Sequence, residues 1–139
     1  MPRPEEQDVE LTLPMEADME VSASQTASAV ASFMGLDADK ADEVRIAVVE
    51  ACINVIEHSA AEDRHVYLRF RVKPEFLQVE VQDRGVGFDP DSIQDSKIED
   101  KIHAKRKRGW GMQIIRGLMD EVEFQSGEAG TTVIMRKMR

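Results

Sequence analysis

The chain has 139 residues, of which 27 are acidic and 18 basic, giving a net charge of -9. This length fits one domain that buries about two-thirds of its unfolded surface, and the acidic balance argues against a nucleic-acid-binding protein, because phosphate neutralisation requires a basic face. The single cysteine, Cys52, lies in an apolar run typical of a protein core in a reducing compartment. No uncharged stretch approaches the length of a membrane span, so we expect a cytoplasmic protein with no membrane segment and no direct nucleic-acid contact.

The first half of the chain is predicted to form one strand and two helices. Residues 1–8 are acidic and proline-rich without periodicity, which indicates a flexible tail. Alternating apolar residues over 9–13 predict a short edge strand. A helix capped by Asp18 and ended by Gly35 follows, and residues 39–58, apolar on most sides, are predicted to form the central buried helix.

The second half is predicted to form two pairs of strands separated by a lid and a helix. Period-two alternation indicates a hairpin at 66–72 and 77–81. Residues from about 88 to 109 have no sustained pattern and carry clustered basic side chains, which is typical of a functional lid or a disordered segment. A helix at about 110–119, with Ile114, Ile115 and Leu118 facing inward, is followed by two closing strands.

This order of elements predicts an α+β fold for residues 9–139 as a single domain. It has two layers, with a mixed, mostly antiparallel sheet covered by helices on one face. The polar alternate positions of the hairpin leave the other face of the sheet in water.

Four short polar motifs fall in order on a helix, a strand end, a helix start and the final strand. They are Glu50-x-x-x-Asn54, Asp83-x-Gly85-x-Gly87, Arg108-Gly109-x-Gly111 and Gly130-Thr131-Thr132. Each motif alone recurs by chance, but their order and placement together predict an ATP site.

Glu50 and Asn54 are four residues apart and therefore share one helix face. The common explanation of such spacing is the solvated stripe of an amphipathic helix, formed here by Glu43, Ala47, Glu50, Asn54 and Glu57. The functional alternative is that Asn54 offers an oxygen to Mg²⁺ while Glu50 takes a proton from a nucleophile, a division of roles that phosphoryl transfer requires.

Asp83 continues the alternation of its strand toward the helices rather than toward water. A carboxylate in that position needs a partner, because an unpaired buried polar group costs free energy. An adenine amine would supply one, and Gly85 and Gly87 would let the backbone approach a flat ring. The alternative is an ordinary Asp-x-Gly turn.

Arg108 and the glycines Gly109 and Gly111 open a predicted helix, where free backbone N–H groups can face phosphate oxygens. Trp110 between them is typical of a core anchor, with a partner contact as the alternative. The Thr131 hydroxyl could reach adenine, although threonine is also simply a good strand former.

These motifs resemble those of the GHKL ATPase superfamily, whose fold is the Bergerat fold, and the small stand-alone domain is similar to bacterial anti-sigma-factor serine/threonine kinases. The resemblance implies ATP and Mg²⁺ as ligands, Glu50 as the base, Asn54 on the metal and Asp83 on adenine. It implies further ATP contacts from a larger set, namely Asn54, Gly85, Gly87, Arg108, Gly109, Trp110, Gly111, Met112 and Thr131. It also implies a homodimer, with a sigma factor and a STAS-type anti-sigma-factor antagonist as partners, the antagonist being the phosphorylated substrate.

Three functions are compatible with these residues. The leading hypothesis is a protein serine/threonine kinase in a partner-switching system. The first alternative is a nucleotide-sensing adaptor that binds a signalling protein without phosphotransfer, which would not need Glu50. A third possibility, hydrolysis of ATP to water, would use the same residues, but the chain has no transducer domain to harness it.

Overall fold

The computed structural model describes residues 7–59, 61–85, 112–127 and 130–139. The elements in chain order are β1 (Asp8–Pro14), α1 (Glu20–Phe33), α2 (Ala38–His58), β2 (His65–Val72), β3 (Phe76–Gln82), α3 (residues 112–118), β4 (Glu121–Gly127) and β5 (Gly130–Met138). This is the predicted order. The predicted lid and the first six residues of the predicted tail lie outside the described residues.

The five strands form one sheet in the order β1-β2-β3-β5-β4. All four strand pairs are antiparallel, so the described sheet is uniform where the sequence suggested a mixed one. The strand β1 lies at an edge, as predicted. Both α1 and α2 pack against each other and against the same side of the sheet, which confirms the α+β two-layer fold.

Alternate residues of the strands make the core with the helices. Phe70, Leu77 and Met135 lie in the strands of the sheet and are fully buried. Cys52 on α2 is also fully buried, and this burial raises the pKa of its thiol to about 12. The thiol is therefore protonated at neutral pH and acts as a core residue, as its apolar neighbours predicted.

The helix ends show one correct and one wrong prediction. Gly35 adopts a φ of 83° directly after α1, the left-handed conformation that glycine favours. Asp18 does not cap α1, since it has a φ of 72° and precedes the helix by more than one residue. Asp37 is the effective cap of the next helix, because its carboxylate accepts a 2.8 Å hydrogen bond from the Lys40 amide.

The uncovered face of the sheet is occupied by paired charges. Arg69 donates to Glu10 across β1 and β2, with the shorter contact at 2.8 Å. On the same face, near the opposite edge of the sheet, Arg136 donates to Glu121 at 2.9 Å. Exposed pairs of this kind contribute only about 0–1 kcal/mol each to stability. Their opposite charges neutralise one another on this face.

Two of the three residues of α3 that were predicted to face inward do so. Ile115 is fully buried and Leu118 is partly buried against the core, whereas Ile114 is 39% exposed. Among the described helices, none is both long and apolar enough to cross a bilayer.

Candidate functional site

One end of the sheet collects most of those predicted site residues that the structure describes. The helix α2 ends at His58 and the chain soon enters β2, so the C-terminal half of α2 lies near the start of β2. There Tyr67 is paired with Gln82 at the end of β3, and Gln82 is paired with Thr132 at the start of β5. Because of this register, the end of the sheet that follows α2 also carries Asp83 and Thr131.

The Asp83 carboxylate is held by backbone N–H groups from two segments. It is only 2% exposed, and its Oδ1 atom accepts hydrogen bonds from the amides of Gly85, at 3.0 Å, and Thr131, at 3.2 Å. The Asp83 amide in turn donates to the Thr131 carbonyl at 2.9 Å. The predicted orientation toward the helices is correct. Both of these bonds to the carboxylate use Oδ1 rather than Oδ2.

Gly130 makes this junction possible by letting two backbones approach closely. A Cβ at this position would lie 2.1 Å from the Asp83 carbonyl oxygen, and Gly130 has a φ of 122°. Glycine is therefore required at position 130, because a side chain there would overlap Asp83 and because other residues rarely adopt this positive φ. The sequence motif contained Gly130 without giving it a role, and its position at the start of the last strand was the available signal.

Thr131 uses its backbone rather than its hydroxyl to hold Asp83. Its side chain is 1% exposed, and Oγ1 lies 3.4 Å from the hydroxyl of Ser126 on β4. Sequence reasoning did not identify Ser126, because a serine in a mostly exposed strand carries no distinguishing pattern. A contact between the Thr131 hydroxyl and adenine stays a prediction.

Glu50 and Asn54 lie on a face of α2 that is neither core nor open surface. Both are half-buried, and the adjacent residues Ala47 and Ala51 are fully buried against the sheet. Ala47 had been grouped with them in a possible solvated stripe, and its complete burial removes that explanation for this part of the helix. Both polar side chains therefore border the core at the end of α2 that adjoins Asp83.

Asn54 carries the most direct sign of an incomplete site. Its Nδ2 atom is buried and has no hydrogen-bond partner in the described part of the protein. An unpaired buried polar group costs about 1–3 kcal/mol, which a ligand could recover. Rotation of the amide about its terminal torsion exchanges nitrogen and oxygen, so the same position can present an oxygen to a cation.

The donor set fits a magnesium ion shared with a nucleotide. Mg²⁺ in phosphoryl-transfer sites is commonly held by one or two protein oxygens together with substrate phosphates and water. No group of three or more metal-binding side chains occurs among residues 7–59, 61–85, 112–127 and 130–139. Asn54 supplies one oxygen of the kind that such a shared site uses.

Two further predicted ATP contacts, Gly85 and Met112, are among the described residues. Gly85 is buried beside Asp83, and Met112 is half-buried at the first described position of α3, where it packs against the core. Gly87 and the group of Arg108, Gly109, Trp110 and Gly111 lie outside the described residues, so their contacts stay predictions.

Residues 13–137 match the family described as the histidine kinase-like ATPase domain. The chain therefore belongs to the histidine kinase-like ATPase family, as the four motifs predicted. Its relatives include the serine-protein kinase RsbW of Bacillus subtilis, with 34% identity over 135 residues, 93% of this chain and 84% of the relative. RsbW of Halalkalibacterium halodurans is 30% identical over 133 residues, 93% of this chain and 82% of the relative.

Solved structures share the fold at lower identity. The crystal structure of the RsbU and RsbW domains of Rv1364c from Mycobacterium tuberculosis superposes with a TM-score of 0.69 at 17% identity, covering 95% of this chain and 32% of that chain. The histidine kinase domain of the blue-light activated kinase EL346 from Erythrobacter litoralis gives a TM-score of 0.55 at 21% identity, covering 90% and 61%. This similarity supports the fold rather than a particular substrate.

We expect Gly130→Ala to disrupt the site and lower the free energy of unfolding by more than about 2 kcal/mol, because of the steric overlap with Asp83 and the positive φ. The matched control is Gly127→Ala, since Gly127 is exposed and a Cβ there would meet no atom within 4 Å. Urea unfolding of both variants measures the difference. Equal stability of the two variants would contradict the close approach at Gly130.

Proposed function

We propose that the protein is an ATP-dependent protein serine/threonine kinase. It acts as an anti-sigma factor or a related partner-switching regulator and phosphorylates a STAS-type anti-sigma-factor antagonist. The observation that carries this proposal is the buried Asp83 carboxylate, which two backbone amides hold at the end of the sheet that adjoins Glu50 and Asn54. The similarity to RsbW serine-protein kinases over 93% of the chain supports the kinase class.

Asp83 is the proposed adenine-recognition residue. Its Oδ1 atom is already occupied by the Gly85 and Thr131 amides, so the carboxylate cannot rotate freely. The remaining oxygen is an acceptor that suits the exocyclic amine of adenine and repels the carbonyl oxygen that guanine has at the same position. This arrangement favours ATP over GTP as the substrate.

Glu50 is the proposed general base and Asn54 the proposed metal ligand. Mg²⁺ bound by Asn54 would neutralise phosphate charge. The substrate hydroxyl oxygen forms a bond to the γ-phosphorus of ATP while the bond from that phosphorus to the β–γ bridging oxygen breaks. ADP leaves with the bonding electron pair, and Glu50 takes the hydroxyl proton. The half-buried positions of both side chains support contact with a substrate from the helix side of the sheet.

The proposed assembly is a cytoplasmic homodimer that binds a sigma factor and the antagonist. An association surface is supported by large apolar side chains left exposed on α1 and the edge strand β1: Val9 is 37%, Val21 50% and Phe33 57% exposed. Such residues on neighbouring elements are typical of protein contacts, and an edge strand has free backbone groups.

If Glu50 is the base, Glu50→Gln lowers phosphotransfer by about 10²- to 10⁴-fold and leaves ATP affinity nearly unchanged, because the amide keeps the shape but cannot take a proton. Single-turnover phosphorylation and equilibrium ATP binding measure the two quantities. Asp42→Asn is the control, since Asp42 is an exposed acid on the same helix that pairs only with Arg45 in the described part of the chain. Unchanged phosphotransfer by Glu50→Gln rules out the assigned role.

Asp83→Asn is expected to weaken ATP binding by about ten- to a hundredfold, because it replaces the second carboxylate oxygen with an N–H donor facing the adenine amine. Asparagine can still accept from Gly85 and Thr131, so stability should be nearly retained. The control is Asp42→Asn, because Asp42 is an exposed acid outside the proposed site and away from the contacts of α3. Calorimetric titration with ATP distinguishes the variants, and equal affinities contradict the adenine assignment.

One labelling experiment tests the kinase proposal as a whole. The protein is incubated with γ-labelled ATP and purified STAS-domain antagonists, and the products are separated by gel electrophoresis and thin-layer chromatography. Label on serine or threonine of an antagonist supports the kinase. Release of free phosphate alone indicates a hydrolase, and tight ATP binding without either product indicates the nucleotide-sensing adaptor.

A further inference from the structure

Lys137 is a buried charge far from the adenine-recognition residue. It lies on the helix-facing side of β5 and is 5% exposed, in a row otherwise formed by Thr131, Val133 and Met135. An ammonium group in such a position requires partners, because burial without them strongly disfavours the charged form. The proposed chemistry of the site does not use this residue.

The Lys137 ammonium joins three elements. It forms a short ion pair with Glu43 on α2 and donates to the Leu118 carbonyl of α3 at 2.6 Å. Leu118 is the last residue of α3, where carbonyl groups lack partners within the helix and a cation is electrostatically favoured. Lys137 therefore fixes the C-terminal end of α3 against α2 and β5 at the same time.

Backbone and side-chain bonds reinforce this attachment just beyond α3. The Asp120 amide donates to the Arg136 carbonyl at 2.9 Å, and the Asp120 carboxylate accepts from the Met138 amide at 2.7 Å. The turn that leaves α3 is thus bonded to β5 on both sides of Lys137. By contrast, α3 itself contributes only one fully buried side chain, Ile115, among its described residues.

The residue that Lys137 contacts on α2, Glu43, lies on the helix face that carries the proposed site residues. Glu43 and Glu50 are separated by about two helical turns and lie on the same helix face, with a rise of about 10 Å between them. Along β5, Thr131 and Lys137 face the same side about 20 Å apart. A shift at Lys137 would therefore move α3 relative to the face of α2 that carries Glu50 and Asn54, while the Asp83 junction at the far end of β5 keeps its own bonds.

We propose that Lys137, held by Glu43, is a positioning residue for the phosphate end of the nucleotide site. It sets the placement of α3 relative to Glu50 and Asn54. This inference rests on the proposed ATP-dependent function, in which the helix that follows the lid approaches the phosphates. Its consequence is that Lys137 contributes to binding of the phosphates and to transfer but not to recognition of the adenine ring.

The test compares Lys137→Met with Glu43→Gln and with the control Lys40→Met. Methionine keeps the length and apolar stem of lysine but removes both polar contacts. Lys40 is a suitable control because its ammonium also bonds a carbonyl near the end of β5, that of Met138 at 3.3 Å, but is exposed and does not contact α3 among its described bonds. Urea unfolding of each variant establishes conditions in which all are folded.

The first readout is hydrogen–deuterium exchange of residues 112–118 in the nucleotide-free protein. Lys137→Met should accelerate exchange there by about tenfold or more, because the end of the helix loses its anchor and opens locally. Glu43→Gln, which keeps an acceptor but loses the charge, should have a smaller effect, and Lys40→Met should have none. Unaltered exchange in Lys137→Met overturns the proposal.

The second readout separates positioning from general destabilisation. Lys137→Met should weaken ATP binding and lower kcat by about tenfold each, because misplaced groups lose much of their effect on a bound substrate. Binding of adenosine, which lacks phosphates, should change by less than about twofold, since Asp83 is unaffected. Equal loss of ATP and adenosine affinity, or no loss of either, overturns the proposal. If the unaltered protein binds ATP but labels no antagonist, the kinase assignment fails while exchange and affinity still test the anchor.

Discussion

The site depends on one junction, where the backbone of Gly130 and Thr131 lies directly against Asp83. The Thr131 and Gly85 amides donate to the buried carboxylate, and the Asp83 amide donates to the Thr131 carbonyl. A buried acid without these donors would be costly, and with them its carboxylate is held in a fixed orientation. The absence of a side chain at Gly130 is the condition for this geometry.

The proposed site residues lie at one end of the sheet, and a buried ion pair that joins three elements lies at the other. Asp83 and Thr131 occupy the first end, together with the C-terminal half of α2. Lys137 and Glu43 occupy the second, where they join α2, α3 and β5. Because β5 runs through both ends with alternate side chains on one face, the same strand bonds Asp83 at one end and the end of α3 at the other. The uncovered face takes no part in this and is filled by charge pairs.

Much of the fold and the placement of Asp83 could be predicted because they follow from periodicity. The alternation along β3 correctly predicted that Asp83 lies on the buried side with Val81. The glycine at position 35 correctly predicted where α1 ends. The cap at Asp18 could not be predicted, because capping depends on a local backbone conformation that a polar residue type does not determine. Ile114 was misplaced since a short helix with apolar residues at neighbouring positions fits two orientations.

The long-range contacts of single side chains were beyond sequence reasoning. Lys137 continues the buried alternation from Thr131 through Val133, so its position was a usable signal, but its partners come from distant parts of the chain. The unpaired amide of Asn54 is likewise a property of packing. Spacing showed that Glu50 and Asn54 share a helix face but did not show how deeply that face is buried.

The order of strands has a consequence for how the protein acquires its activity. The final strand, β5, is inserted between β3 and β4, and the bond from the Thr131 amide to Asp83 spans 48 positions of the chain. During translation, the segment through β3 emerges with an unpaired strand edge and with Asp83 lacking its Thr131 donor. The bond between Thr131 and Asp83 therefore forms late in biosynthesis, when residues 130–138 leave the ribosome and pair with β3, and a nascent chain lacking them presents an open strand edge.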